Sequence, residues 1–190
     1  MTQSSGFLDR PDGSRLAWSK VEGRGPTVVW LGGFRSDMTG TKAQALADWA
    51  GAEGRAFVRF DYFGHGASSG DFRDGTIGRW REDALAVIDE LTEGPLVLVG
   101  SSMGGWIACL AALARPERLR ALVLIAPAPD FVTRLMEPSV PPEGRAALER
   151  DGVWMQPSEY DPAGYPLTRA LFEDGRRWEI LPGPVPIARP

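Results

Sequence analysis

Histidine and cysteine are almost absent from this sequence. Each occurs once among the 190 residues, as His65 and Cys109. A single cysteine excludes an internal disulfide, and a lone thiol within an apolar run is typical of a small core residue in a reducing compartment. No group of residues has metal-ligand spacing, and there is neither a Walker loop nor a dinucleotide fingerprint. We therefore expect no metal and no cofactor.

Long apolar runs and long basic runs are also missing. No apolar run reaches membrane-spanning length, so we expect no integral membrane segment. The formal net charge is -4, and without a basic run neither nucleic acid nor an anionic membrane is an expected partner. The first residues lack the charged and apolar regions of a signal peptide. We therefore predict a cytoplasmic location.

The composition is that of an ordinary globular domain, with 43% hydrophobic and 24% charged residues. Strand-like apolar runs alternate with helical patterns, which predicts an α/β fold: a mostly parallel sheet with helices on both faces. We predict strands at about 6–22 (a pair), 27–31, 56–60, 95–99 and 119–126, and helices at about 41–50, 77–91 and 103–114.

The pattern changes after residue 129. Residues 1–129 are predicted as the core, residues 130–177 as a cap with one short helix at about 143–150, and residues 178–190 as an extended segment. Large apolar side chains occur along the cap, and they either line an acyl-chain pocket or attach the cap to the core. They are Trp154, Met155, Tyr160, Tyr165, Leu167, Leu171 and Phe172. Of these we select Trp154 and Phe172 as substrate-binding candidates.

A G-x-S-x-G motif, formed by Gly100, Ser102 and Gly104, lies between an apolar strand and an apolar helix. This is the nucleophile elbow of α/β-hydrolases, in which a strained strand-to-helix turn exposes the serine. The two glycines remove side chains that would collide around the turn. Because the motif occurs in the required context, we predict Ser102 as a nucleophile rather than an accidental turn residue. Ser101 is interpreted as the last polar residue of the strand.

Acyl transfer also needs N–H donors for the developing oxyanion. In this fold one donor is the residue after the nucleophile, here Met103, and the other comes from the loop after the third strand. Gly32 and Gly33 end that strand, so we assign the second donor to the Phe34 N–H. An ordinary glycine turn is the alternative interpretation.

The acid and the histidine of the triad follow the nucleophile in this fold, and no histidine follows Ser102. His65 precedes it in a glycine-rich turn, and we interpret it as a polar loop residue rather than as the general base. Asp130 follows the last predicted strand, a region from which some hydrolases take their acid. An acid in that position would need a histidine to orient, and none follows it in this sequence.

Five stretches together resemble one branch of the α/β-hydrolase superfamily, that of palmitoyl-protein thioesterase and acyl-glucuronide esterase. They are MTGTKA at 38–43, RFDYFG at 59–64, RWRED at 79–83, VGSSMGGW at 99–106 and GVWMQPS at 152–158. The resemblance implies the α/β-hydrolase fold, Ser102 as nucleophile, and an ester or thioester substrate. It also implies an acid and a histidine on loops after the last two strands, and those positions do not occur in this sequence.

We therefore expect a serine hydrolase of acyl thioesters or carboxylic esters, truncated so that the last strands are missing. The apolar strand at 119–126 should then form an exposed sheet edge, which is an aggregation hazard. The alternatives are a non-catalytic hydrolase-like protein that binds acyl ligands, and a decayed gene product.

Overall fold

A six-stranded sheet organises the computed structural model, which describes residues 2–158 and 164–187. The strands are β1 (Gln3–Asp9), β2 (Arg15–Val21), β3 (Arg24–Leu31), β4 (Arg55–Phe60), β5 (Leu96–Ser101) and β6 (Leu119–Ile125). Their spatial order is β1-β2-β4-β3-β5-β6, and the last four run parallel to one another. The mostly parallel sheet predicted from the sequence is thereby confirmed.

Helices cover both faces of this sheet, as predicted. They are α1 (Thr41–Glu53), α2 (Ile77–Leu91) and α3 (Met103–Ala114). Side chains of β5 alternate between the two faces: Leu98 belongs to the larger core cluster with α2 and α3, whereas Val99 packs in the cluster with α1. Because strand side chains alternate, Ser101 faces the α1 side together with Val99.

Two glycines permit the close approach of β5, β3 and α3 around Ser102. A Cβ atom on Gly104 would collide with the carbonyl oxygen of Leu31, and one on Gly100 would collide with the backbone of Gly104. Only glycine fits where backbone approaches backbone this closely. The spacing of the motif therefore places Ser102 at the carboxyl end of β5.

Replacement of Gly104 by alanine is expected to lower the free energy of unfolding by about 1–3 kcal/mol or more, because the surrounding backbone cannot move aside. Gly51 is the matched control, since it lies within α1 and a Cβ there meets nothing within 4 Å. Gly51→Ala is expected to raise the same free energy by about 0.5–1 kcal/mol. Denaturant unfolding measures both values, and equal stabilities would contradict the close packing at Gly104.

The segment after β6 packs onto the core. It contains a π-helical turn (Val132–Met136), a single α turn (Glu137–Ser139), α4 (Pro142–Asp151), a hairpin of β7 (Val153–Gln156) and β8 (Tyr165–Thr168), and α5 (Arg169–Arg177). The short helix predicted at 143–150 is confirmed, whereas the hairpin and α5 were not predicted. Leu167 and Leu171 are buried in the same cluster as Trp80. Parts of the predicted cap and tail, residues 159–163 and 188–190, lie outside the described residues.

Among the described residues, β6 pairs only with β5. Val123 and Leu124 of this strand are 45% and 39% exposed. In the described part of the chain, every helix is too short or too polar to cross a membrane.

Candidate active site

Ser102 occupies a strained turn between β5 and α3. Its φ of 54° and ψ of -122° are rare for a non-glycine residue, at a cost of about 1–3 kcal/mol. Backbone hydrogen bonds hold this turn: the Ser102 N–H donates to the Ile125 oxygen at 3.1 Å, and the Ser102 oxygen accepts from Gly105 at 2.9 Å and Ala128 at 3.1 Å. The side chain is exposed. The hydroxyl is thus presented to solvent from a backbone fixed by β6 and α3.

The loop after β3 lies against this turn. A Cβ atom built on Gly33 would lie 3.5 Å from the Cβ of Ser102, an ordinary van der Waals distance, so the loop packs against the turn. Phe34 follows Gly33 and lines the same cavity as Ser102. Met103 is the first residue of α3 and is fully buried. The two candidate oxyanion donors therefore belong to the two segments that meet at Ser102, and their role stays a prediction.

His65 is buried, and both of its ring nitrogens contact the backbone. Nε2 lies 3.2 Å from the Arg35 nitrogen, and Nδ1 lies 3.1 Å from the Phe63 oxygen. Because the Arg35 N–H can only donate, Nε2 is the acceptor and Nδ1 carries the proton. Burial lowers the pKa of His65 to about 4, and the Arg35 charge lowers it as well. The ring is therefore neutral near pH 7, and neither nitrogen is free to accept the Ser102 proton.

Asp130, considered above as the triad acid, has its carboxylate hydrogen-bonded to other backbone groups. Its carboxylate oxygens accept from the backbone N–H of Ile180 at 2.9 Å and of Leu181 at 2.8 Å. The Nε atom of Arg134 lies 3.4 Å from the same carboxylate. Asp130 thus ties the segment after α5 to the end of β6.

Comparison with known proteins identifies the family. The family model described as serine aminopeptidase, S33, matches residues 26–154. A putative hydrolase from Agrobacterium vitis S4 superposes with a TM-score of 0.94 and 42% identity, covering 100% of this chain and 77% of that one. Alpha/beta hydrolase domain-containing protein 10 from mouse gives a TM-score of 0.86 and 38% identity, with 98% and 75% covered. The chain belongs to the α/β-hydrolase family.

Curated relatives of this α/β-hydrolase include palmitoyl-protein thioesterase ABHD10, mitochondrial, from Bos taurus and from Homo sapiens. Each is 40% identical over 189 residues, which cover 98% of this chain and 61% of the relative. The chain therefore spans 61% of the length of these relatives. These matches confirm the predicted resemblance to the palmitoyl-protein thioesterase branch.

The same relatives correct the predicted location. Their names place them in mitochondria, so the prediction of a cytoplasmic protein is wrong. That prediction rested on the first residues and on the single cysteine. A lone thiol does not distinguish one reducing compartment from another.

Phe34 lines two cavities of this α/β-hydrolase. One, of about 260 Å³, is polar and is also lined by Ser36, Asp37, Thr41, Lys42, Ser101 and Ser102. The other, of about 530 Å³, is also lined by Arg35, Met136, Gln156, Pro157, Ser158 and Tyr165. The Arg35 guanidinium carbon lies 4.7 Å from the centre of the Tyr165 ring. Phe34 thus forms part of both cavity walls.

The substrate-binding candidates Trp154 and Phe172 line neither of these cavities. Phe172 lies in a third cavity of about 270 Å³ between α4 and α5, and Trp154 packs against Gly144 of α4. Their contact with substrate stays a prediction. Of the apolar cap residues, Tyr165 lines the larger cavity, the one of about 530 Å³. Tyr160 lies outside the described residues.

Arg35 and Met136 also line the larger cavity, and sequence reasoning missed both of them. Arg35 directly follows the glycine loop, which was the available signal. Met136 carries no comparable signal in the sequence.

Proposed function

We propose that this chain is a serine hydrolase of acyl thioesters or carboxylic esters, with Ser102 as its nucleophile. The observation that carries the proposal is the backbone of Ser102, held at a φ of 54° beside an open cavity. Strain of this kind clusters at active sites, where surrounding contacts impose it. The relatives named palmitoyl-protein thioesterase support an acyl thioester as the substrate.

In the proposed reaction, the hydroxyl oxygen of Ser102 attacks the acyl carbonyl. The C–S or C–O bond to the leaving group then breaks, and the leaving group departs as a thiol or alcohol that carries the proton lost by the Ser102 hydroxyl. Water hydrolyses the resulting acyl-serine ester to the free acid and restores the hydroxyl. The N–H groups of Phe34 and Met103 donate to the carbonyl oxygen while it carries negative charge. The N-terminus of α3 adds partial positive charge at the same place.

Each cavity suits one part of such a substrate. We assign the acyl chain to the larger cavity, which Phe34, Met136 and Tyr165 line with apolar and aromatic surface. The leaving group is assigned to the polar cavity, which Ser102 itself lines together with Lys42. The first turn of α1 opens toward that cavity without a capping side chain or an acidic residue, which suits a polar leaving group.

A second candidate function follows from His65. Ser102 needs a general base, because a serine hydroxyl is a weak nucleophile. His65 is the single histidine of the sequence, and backbone groups occupy both of its nitrogens. This favours, as the alternative, a hydrolase-like protein that holds an acyl ligand in the same cavities without turnover.

Acyl-chain length provides the test of both assignments. With nitrophenyl esters and acyl thioesters of increasing length, Met136→Ala and Tyr165→Ala are expected to change the long-to-short ratio of kcat/KM by about tenfold, since each methylene in an apolar pocket contributes roughly 1–3 kcal/mol. Trp154→Ala and Phe172→Ala are the comparison variants, because these residues line neither cavity, and an equal effect on all lengths in both would support the larger cavity as the acyl site.

Two other results would change this conclusion. A shifted ratio in Trp154→Ala or Phe172→Ala alone would move the acyl chain to the cavity between α4 and α5. Saturable binding of the esters without product release would support the acyl-binding alternative.

A further inference from the structure

The loop that carries Phe34 is a four-residue turn with an unusual backbone. The Ser36 N–H donates to the Gly33 oxygen at 3.1 Å, which closes the turn around Phe34 and Arg35. Arg35, its third residue, has a φ of 57°. Glycine is favoured there because other residues are strained at positive φ. Something outside the turn must therefore hold Arg35 in this conformation.

His65 supplies a contact that does this. The N–H in the central peptide of the turn belongs to Arg35, and it donates to His65 Nε2 at 3.2 Å. If this peptide rotated by half a turn, the N–H would point away from the imidazole and φ of Arg35 would become negative. The hydrogen bond therefore selects one of two orientations of the central peptide.

The imidazole is itself fixed. It is 4% exposed, and its ring lies 5.2 Å from that of Trp80 and 5.1 Å from that of Phe72. The Phe34 ring packs edge-on against the same two rings, at 5.9 Å and 5.0 Å. The imidazole and the residue with the candidate oxyanion donor thus share the same aromatic neighbours.

A second contact holds the far end of the loop. The carboxylate of Asp61 accepts from the Met38 N–H at 2.6 Å and from the Ala67 N–H at 2.8 Å. Asp61 and His65 belong to the same loop after β4. The loop after β4 therefore accepts hydrogen bonds from the loop after β3 at two residues, Arg35 and Met38.

The closed turn also sets the direction of the Phe34 N–H. The Gly33 oxygen points into the turn, toward the Ser36 nitrogen. In a trans peptide the C=O and the following N–H point in opposite directions, so the Phe34 N–H points out of the turn. The Gly33–Ser36 hydrogen bond keeps this direction relative to the turn, and the Arg35–His65 hydrogen bond fixes the turn itself against the buried imidazole.

We propose that His65 is a positioning residue: by accepting the Arg35 N–H at Nε2, it holds the strained turn that aims the Phe34 N–H at the substrate oxyanion. The proposal rests on the proposed function of Ser102 and deepens it. It also gives the single histidine a task other than that of a base.

The hydrogen bond can be tested without any catalysis. NMR of the uniformly ¹⁵N-labelled chain is expected to show a scalar coupling across the N–H···N bond between the Arg35 amide and His65 Nε2. The ring shifts should be those of the neutral form with its proton on Nδ1. A proton on Nε2 near pH 7, or no coupling to Arg35, would overturn the proposal.

The consequence for the oxyanion site is tested with an alkyl boronic acid, which forms a tetrahedral adduct on an active-site serine. His65→Leu removes the acceptor and is expected to weaken the adduct by about tenfold or more, less than the roughly 10²–10³-fold effect of deleting an oxyanion donor. His65→Gln restores an acceptor oxygen and is expected to recover most of the affinity. Binding of an uncharged ester analogue should change little in either variant.

The outcomes separate the two proposals. If the unmodified chain forms no adduct at Ser102, the proposed function fails, while the NMR result on His65 still stands. If the adduct forms and both His65 variants bind it as the unmodified chain does, the positioning role is wrong. If His65→Leu does not fold, the comparison of His65→Gln with the unmodified chain, together with the scalar coupling, decides the question.

Discussion

Ser102→Ala is expected to abolish labelling of this chain by a fluorophosphonate probe. The probe reacts with a serine hydroxyl that acts as a nucleophile, which is the role proposed for Ser102. Its exposed side chain lies on a fixed backbone at the start of α3. In hydrolases with a complete triad, removal of the nucleophile lowers kcat by about 10⁴–10⁶-fold. Mass spectrometry of the digested adduct locates the label, and fragment ions distinguish Ser102 from Ser101.

Ser139→Ala is the matched control for this experiment. Ser139 is an exposed serine in the turn after Met136, where its hydroxyl donates to the Met136 oxygen at 2.7 Å. Its loss should leave labelling unchanged. Labelling that persists in Ser102→Ala would refute the assignment of the nucleophile. A complete absence of adduct in the unmodified chain would favour the acyl-binding alternative.

The free energy of unfolding is expected to depend on pH through His65 and Asp83 in opposite directions. The two effects should nearly cancel between about pH 4 and 6. Burial lowers the pKa of His65 from 6.5 to about 4, so its contribution is complete above pH 6.5 and is lost as the pH falls through 4. Burial raises the pKa of Asp83 from 3.8 to about 6, so its contribution is complete below pH 3.8 and is lost as the pH rises through 6.

Single substitutions should uncover each dependence. Each shift exceeds two pH units, which corresponds to about 3 kcal/mol. Asp83→Asn leaves the histidine contribution, so the free energy of unfolding should fall by about that amount as the pH falls from 6.5 to 4. His65→Gln leaves the aspartate contribution, so the free energy should fall as the pH rises over the same range. Burial also raises the pKa of Asp61, but both variants retain that group.

Urea unfolding at half-unit pH steps measures these curves. The unmodified chain should show a flatter curve than either variant over this range. Parallel curves for Asp83→Asn and His65→Gln would contradict the opposed contributions.

The sequence was most informative where the backbone pattern decides the structure. The apolar runs of β3, β4 and β5 and the glycines around Ser102 predicted the sheet, its helices and the turn that holds the serine. These features depend on local chemistry: buried strands need apolar residues, and close backbone approach needs glycine. They are also the features that a superposition with related hydrolases confirms at the level of the fold.

The cap was harder to predict because its structure depends on contacts distant in sequence. α5 is short and highly charged, and a bond from the Gly78 N–H to the Asp174 carboxylate at 2.6 Å attaches it to α2. Contacts distant in sequence also decide why Tyr165, and not Phe172, lines the larger cavity together with Phe34. Both are large aromatic residues in one segment, and only the path of the hairpin determines which one faces Phe34.

At Ser102, the residue that would give the more stable backbone is not the residue that the proposed reaction needs. Glycine adopts a positive φ without strain, so Ser102→Gly would relieve about 1–3 kcal/mol while removing the hydroxyl. A chain selected for thermal robustness alone would therefore carry glycine here. Stability-guided redesign of this protein would favour that replacement and eliminate the proposed nucleophile, a common way in which gains in robustness reduce function.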